Sequence, residues 1–90
     1  SVARGRIAEI AAANGLTTLP SAANFVAIDC GADGAFSTRV LEELGVQDVF
    51  VRKPFVAPED RCIRVSAGTP EMLDLFERAL PLALAAARGG

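Results

Sequence analysis

Histidine, tryptophan and tyrosine are missing from these 90 residues, and lysine occurs once, at Lys53. Without histidine the chain lacks the commonest metal ligand and the side chain that titrates nearest neutrality. The two cysteines, Cys30 and Cys62, are far apart and form no CxxC pattern. No metal site is expected, and both read as buried, reduced thiols, a disulfide between them being the other reading. No apolar stretch approaches the ~20 residues that cross a bilayer, and the opening "SVARGRIAEI" has neither the apolar stretch nor the cleavage site of a secretory signal. A cytoplasmic chain without a membrane partner is expected. Basic character is also scarce: nine basic residues against eleven acidic ones give a net charge of −2, and no basic run exceeds Arg52-Lys53. That balance argues against nucleic acid as a partner.

What is present is apolar. Such residues make up 51% of the chain and charged ones 22%, a composition that forms a core. Ninety residues suit one domain, residues 1–90, able to bury roughly 60 to 65% of its unfolded surface. Val2, Ala3, Ile7, Ile10 and Ala11 recur at helical spacing up to Asn14-Gly15, where glycine allows a left-handed cap and Leu16 can fold back. "LTTLP" is short and extended, ended by Pro20. "NFVAIDC" alternates, with Phe25, Ala27 and Asp29 on one side and Asn24, Val26, Ile28 and Cys30 facing inward. After "GADG", the stripe Phe36, Val40, Leu41 and Leu44 predicts a second helix that stops at Gly45. "DVFVRKPF" reads as a strand ended or confined to an edge by Pro54, and "CIRVSA" as another after the turn "APEDR". Thr69 as N-cap and Pro70 at the first helical position open the last helix, which Pro81 should kink or break.

These elements predict an α+β fold, a two-layer arrangement of a mostly antiparallel sheet of about four strands with three helices on one face. Strand alternation then poses a question at Arg64. If Ile63 and Val65 enter the core, the guanidinium stands on the other face, either in solvent or offering its fork of donors to a carboxylate or phosphate.

Three stretches in register, "PSAANFVAI", "VRKPF" and "RCIRVSAGTPEMLDLFERAL", resemble the carboxy-terminal small domain of class I and II aminotransferases, the fold-type-I pyridoxal-phosphate enzymes. Among these the likeness is greatest to histidinol-phosphate aminotransferases, and it runs from the first helix to about Leu84. The resemblance implies a pyridoxal-phosphate-dependent enzyme with an amino-acid or phosphorylated amino-compound substrate, in amino-acid and specifically histidine biosynthesis. It implies that Arg64 receives the substrate's α-carboxylate, that Arg52 lies near a distal acidic or phosphate group, and that Asn24 lies close to the approach to the site. A side chain satisfying turn backbone is the other reading of Asn24, and a rim arginine with no specific role is that of Arg52.

The family's catalytic lysine, the partner of its pyridine nitrogen and its phosphate cradle belong to a large domain, and none of their motifs occurs here. No catalytic or cofactor-binding residue is therefore assigned. The resemblance implies a fragment of a longer chain that pairs with that large domain and forms a homodimer. "GTPEML" and "KPFVAPED" depart from the usual family wording, which leaves the substrate open. Two other readings compete: an autonomous ferredoxin-like small-molecule-binding or regulatory module, and a dimerisation domain without a ligand. A cut-free small domain should also expose Phe50 or Phe55 to water.

Overall fold

The computed structural model describes residues 1–20 and 24–89. Helix α1 spans Val2–Ala13, strand β1 Thr17–Leu19, strand β2 Phe25–Asp29, helix α2 Gly34–Val46, a short 3-10 turn Glu59–Arg61, strand β3 Cys62–Ser66, and helix α3 Pro70–Ala87. The sheet runs β1-β2-β3 with both pairings antiparallel, Ala27 lying opposite Arg64 and Ile28 opposite Ile63. The α+β arrangement matches the expectation, with three helices and a three-stranded sheet.

Each helix begins and ends where local chemistry lets it. Ser1 caps α1 by accepting from the Arg4 N–H, and Asp33 caps α2 by accepting from the Phe36 N–H at 2.9 Å. Thr69 caps α3 by accepting from Met72 at 3.2 Å, ahead of Pro70 at the first turn. Helix α1 closes on Gly15 at φ 74°, with Gly15 N–H bonded to the Ala12 carbonyl and Leu16 N–H to that of Ala11 at 2.9 Å. This is the double closure that a left-handed residue permits, and it folds Leu16 into the core.

Three details differ from the sequence reading. Helix α2 runs through Gly45 to Val46 and turns on Asp48 at φ 64°, where Asp48 and Val49 N–H groups close on the Gly45 and Leu44 carbonyls. Aspartate tolerates this conformation, so the stop did not need the glycine. Helix α3 is continuous through Pro81, which sits on its exposed side, where water can satisfy the carbonyl that the missing N–H leaves free. The fourth strand shrinks to a single bridge between Arg52 and Arg64. Continuing that antiparallel register would set Pro54 opposite Cys62, and proline has no N–H to extend the ladder.

The core lies between the sheet's inner face and the helices. Val26, Ile28, Ile63 and Val65 meet Ile7 and Ile10 of α1, Val40 and Leu44 of α2, and Phe76, Leu80 and Leu84 of α3. The expected inward set of β2 holds for Val26, Ile28 and Cys30, while Asn24 is exposed at the strand's entry. Ser37 takes the place expected of Leu41 among the buried residues of α2, beside Phe36, Val40 and Leu44, because its hydroxyl donates to the Gly34 and Asp60 carbonyls. On the far side of α1, Arg6 ties to α3 through Asp74 and Glu77. Phe50 and Phe55 are 79% and 72% exposed.

Both cysteines are buried and free. Burial, and then the charges that Cys62 and Asp29 would present, push the Cys30 thiol from 9.0 up to about 12. Between those values the unfolded chain has released a proton that the folded chain keeps. The unfolded state thus binds fewer protons, and stability falls as pH rises through that window. Below it the thiol contributes no such penalty. We expect Cys30→Ala to flatten the alkaline loss of stability read from urea midpoints at pH 8 and pH 10.5, and equal slopes would contradict this. Ile63→Ala, which empties a fully buried site, should cost about 2 to 5 kcal/mol in the same measurement.

Candidate substrate-binding site

Arg64 sits mid-strand in β3, with Ala27 of β2 across from it on one side and the single bridge to Arg52 on the other. Ile63 and Val65 are buried at 0% and 5% exposure, so alternation sends the Arg64 side chain to the face away from the helices. The bridge to Arg52 has both backbone bonds: Arg52 N–H donates to the Arg64 carbonyl at 3.2 Å, and Arg64 N–H to the Arg52 carbonyl at 2.7 Å. Residues paired in this way stand about 5.5 Å apart at Cα with side chains on one face. Two guanidinium groups are thus based side by side, an arrangement that repels unless an anion lies near.

Of the carboxylates on this side, Asp29 is engaged elsewhere, and Glu59, which lines the same cleft as Arg64, forms no ion pair with either arginine. Asp29, on the same face of β2, takes Arg61 Nε at 2.9 Å and the Gly31 N–H at 2.8 Å. Among the described residues the ion pairs are those of Arg61 with Asp29 and of Arg6 with Asp74 and Glu77, and neither Arg52 nor Arg64 joins them. The Arg64 guanidinium carbon lies instead 5.5 Å from the centroid of the Phe25 ring. Phe25 pairs with Ser66, which makes it the diagonal neighbour of Arg64 on the outer face.

An open cleft of about 960 Å³ lies over this face. Phe25, Ala27, Cys62 and Arg64 of the sheet form its floor, and Pro54, Val56, Ala57, Pro58 and Glu59 form a wall. The wall is the segment that Pro54 releases from the sheet. It covers Cys62, which stays buried although its position in β3 puts it on the outer side, and burial followed by the Asp29 charge raises that thiol's pKa. Arg52 is exposed and does not line the cleft. Asn24 also stays outside the lining, and its carbonyl accepts from the Ala67 N–H at 2.6 Å, closing the end of the sheet. Of the three expected residues, Arg52 and Arg64 come together, while Asn24 contributes its backbone to the fold.

Comparison with known proteins bears on the fold that carries this face. No family model matches the chain, and no curated protein sequence does. Among solved structures, a histidinol-phosphate aminotransferase from Sinorhizobium meliloti, in complex with pyridoxal-5'-phosphate, superposes with a TM-score of 0.90 at 43% identity. The chain has the fold of an aminotransferase small domain. The match covers 94% of the 90 residues and 23% of the solved chain, so this small-domain fold spans about a quarter of that protein's length. The resemblance read from "PSAANFVAI", "VRKPF" and "RCIRVSAGTPEMLDLFERAL" is borne out.

Sequence reasoning missed two parts of the site. Phe25 was read only as an outward strand residue; its diagonal i, j−2 relation to Arg64 required the pairing of β2 with β3. The cleft wall was read as strand and turn, although the signal, three prolines at 54, 58 and the strand limit at 20, was present. Lys53 is buried to 8% exposure, its Nζ donating to the Pro54 carbonyl at 2.7 Å and lying 4.2 Å from the Phe55 ring centroid. Among the described residues, no group of three metal-ligating side chains gathers, and no helix is long and apolar enough to cross a membrane.

The like-charged pair has a measurable consequence for stability. Arg52→Gln should leave the chain as stable or about 0.2 to 1 kcal/mol more stable at low salt. The gain should shrink at high ionic strength, as screening removes the repulsion. Destabilisation of similar size at low salt in urea unfolding would show that Arg52 is held by an attractive contact.

Proposed function

We propose that this chain is the substrate-binding small domain of a pyridoxal-phosphate-dependent aminotransferase of the histidinol-phosphate aminotransferase type. The observation that carries the reading is the Arg64 guanidinium, on the outer face of β3 beside Arg52, with no carboxylate of the described residues paired to it. A planar fork in that position suits a bidentate carboxylate ligand. The 43% identity and the superposition over 94% of the chain support the enzyme class.

In this reading Arg64 binds the α-carboxylate and thereby fixes the direction of the substrate's Cα–H bond, which lowers the entropic part of the barrier. Arg52, one strand further out, meets the distal phosphate or carboxylate, and Asn24 lies near the approach. Pyridoxal phosphate, when bound, supplies the electron sink for chemistry at Cα. In this reading the 90 residues do not themselves seat it, and the burial of Lys53 beside Phe55, its Nζ donating to the Pro54 carbonyl, supports that. The cofactor accordingly belongs to a large domain of the same polypeptide, and the exposed Phe50 and Phe55 lie on surface available to such a domain. The whole protein is then a cytoplasmic homodimer acting on an amino acid or a phosphorylated amino compound in amino-acid, and specifically histidine, biosynthesis.

In the full-length enzyme, Arg64→Lys should lower kcat/KM by the equivalent of about 2 to 4 kcal/mol, since an ammonium cannot reproduce the two parallel bonds. Kinetics within about threefold of wild type would remove the assignment. Arg52→Ala should weaken acidic or phosphorylated substrates by about 1.5 to 3 kcal/mol and leave neutral amino acids little changed. An equal loss for both kinds would indicate a packing role.

A further inference from the structure

Arginine side chains on an open sheet face ordinarily sample many rotamers, and a carboxylate receptor that must be ordered at each encounter loses affinity to that entropy. Arg64 has a neighbour on each side that limits this freedom. Phe25 stands diagonally across β2 with its ring centroid 5.5 Å from the guanidinium carbon, inside the ~6 Å range over which a ring attracts a cation. Arg52, directly opposite on the other flank, repels the same charge. One neighbour attracts and the other pushes, and both effects move the Arg64 head toward β2. Phe25 and Arg64 also line the same cleft.

We propose that Phe25 is a positioning residue: its ring holds the Arg64 guanidinium over β2, with its donors directed into the cleft, before a carboxylate arrives. The inference rests on the carboxylate role proposed for Arg64 and deepens it. Phe25 acts through the arginine, so its contribution falls on ligands that carry a carboxylate and is absent for those that do not. An aromatic ring of any kind satisfies the requirement. An aliphatic side chain of similar bulk fills the space without attracting the cation.

The test uses the full-length enzyme and two probes, L-glutamate and its α-carboxamide. Phe25→Leu should raise KM for L-glutamate about fivefold, the scale of one cation–ring contact, with kcat within about twofold. Phe25→Tyr should restore the wild-type KM, and the carboxamide should respond alike in all three proteins. Phe25→Met serves as a second aliphatic variant if Phe25→Leu lowers the melting temperature. Equal losses for acid and amide would overturn the proposal, because Phe25 would then touch substrate or support the fold. So would an unchanged KM in Phe25→Leu when Arg64→Lys raises it, and in that case the carboxylate role of Arg64 stands. If Arg64→Lys itself leaves KM for L-glutamate unchanged, the underlying role falls and the positioning role with it.

Discussion

Ile63 and Val65 cannot occupy the core without placing Arg64 on the opposite face of β3, because successive strand residues alternate. The period-two constraint ties the candidate site to the stability of the whole domain. A one-residue slip of β3 against β2 would bury a guanidinium and expose two apolar side chains, so the register that builds the core also fixes the outward aim of Arg64. Backbone pairing to Ala27 on one side and Arg52 on the other holds that register from both flanks.

The three helices do the complementary work. Their apolar stripes close over Val26, Ile28, Ile63 and Val65 and leave the outer face of the sheet free. On that face Phe25, Ala27, Asp29, Cys62 and Arg64 follow one another across two strands. The segment after Lys53 leaves the sheet because Pro54 cannot pair, and it stands up as the wall of the cleft. A defect in strand pairing thereby becomes a boundary of the site.

Much of this was legible in the sequence because its signals are local. Thr69-Pro70 marks a helix start, Asn14-Gly15 a helix end, and the alternation of "NFVAIDC" and "CIRVSA" separates an inner from an outer face. What was not legible depends on long-range pairing or on which of two local signals prevails. Gly45 carried a stop signal that Asp48 carries out in its place, because the hydrophobic stripe continues to Leu44 and packing keeps the next turn helical. Pro81 carried a break signal that a long, well-packed stripe overrides, since Leu80, Ala83 and Leu84 are buried on either side of it. The diagonal contact of Phe25 with Arg64 could not be read before the register was known. Asn24, by contrast, had two sequence readings, and in the described structure its carbonyl bonds to Ala67 at the sheet's end.

The central claim is that Arg64 receives a carboxylate. The most direct measurement is a crystal structure of the full-length enzyme bound to a substrate-like amino acid that carries its α-carboxylate. The account predicts two parallel contacts of about 2.7 to 2.9 Å from the Arg64 guanidinium to the carboxylate oxygens, with the Phe25 ring still beside the guanidinium. A carboxylate held by other residues, with Arg64 facing solvent, would contradict it.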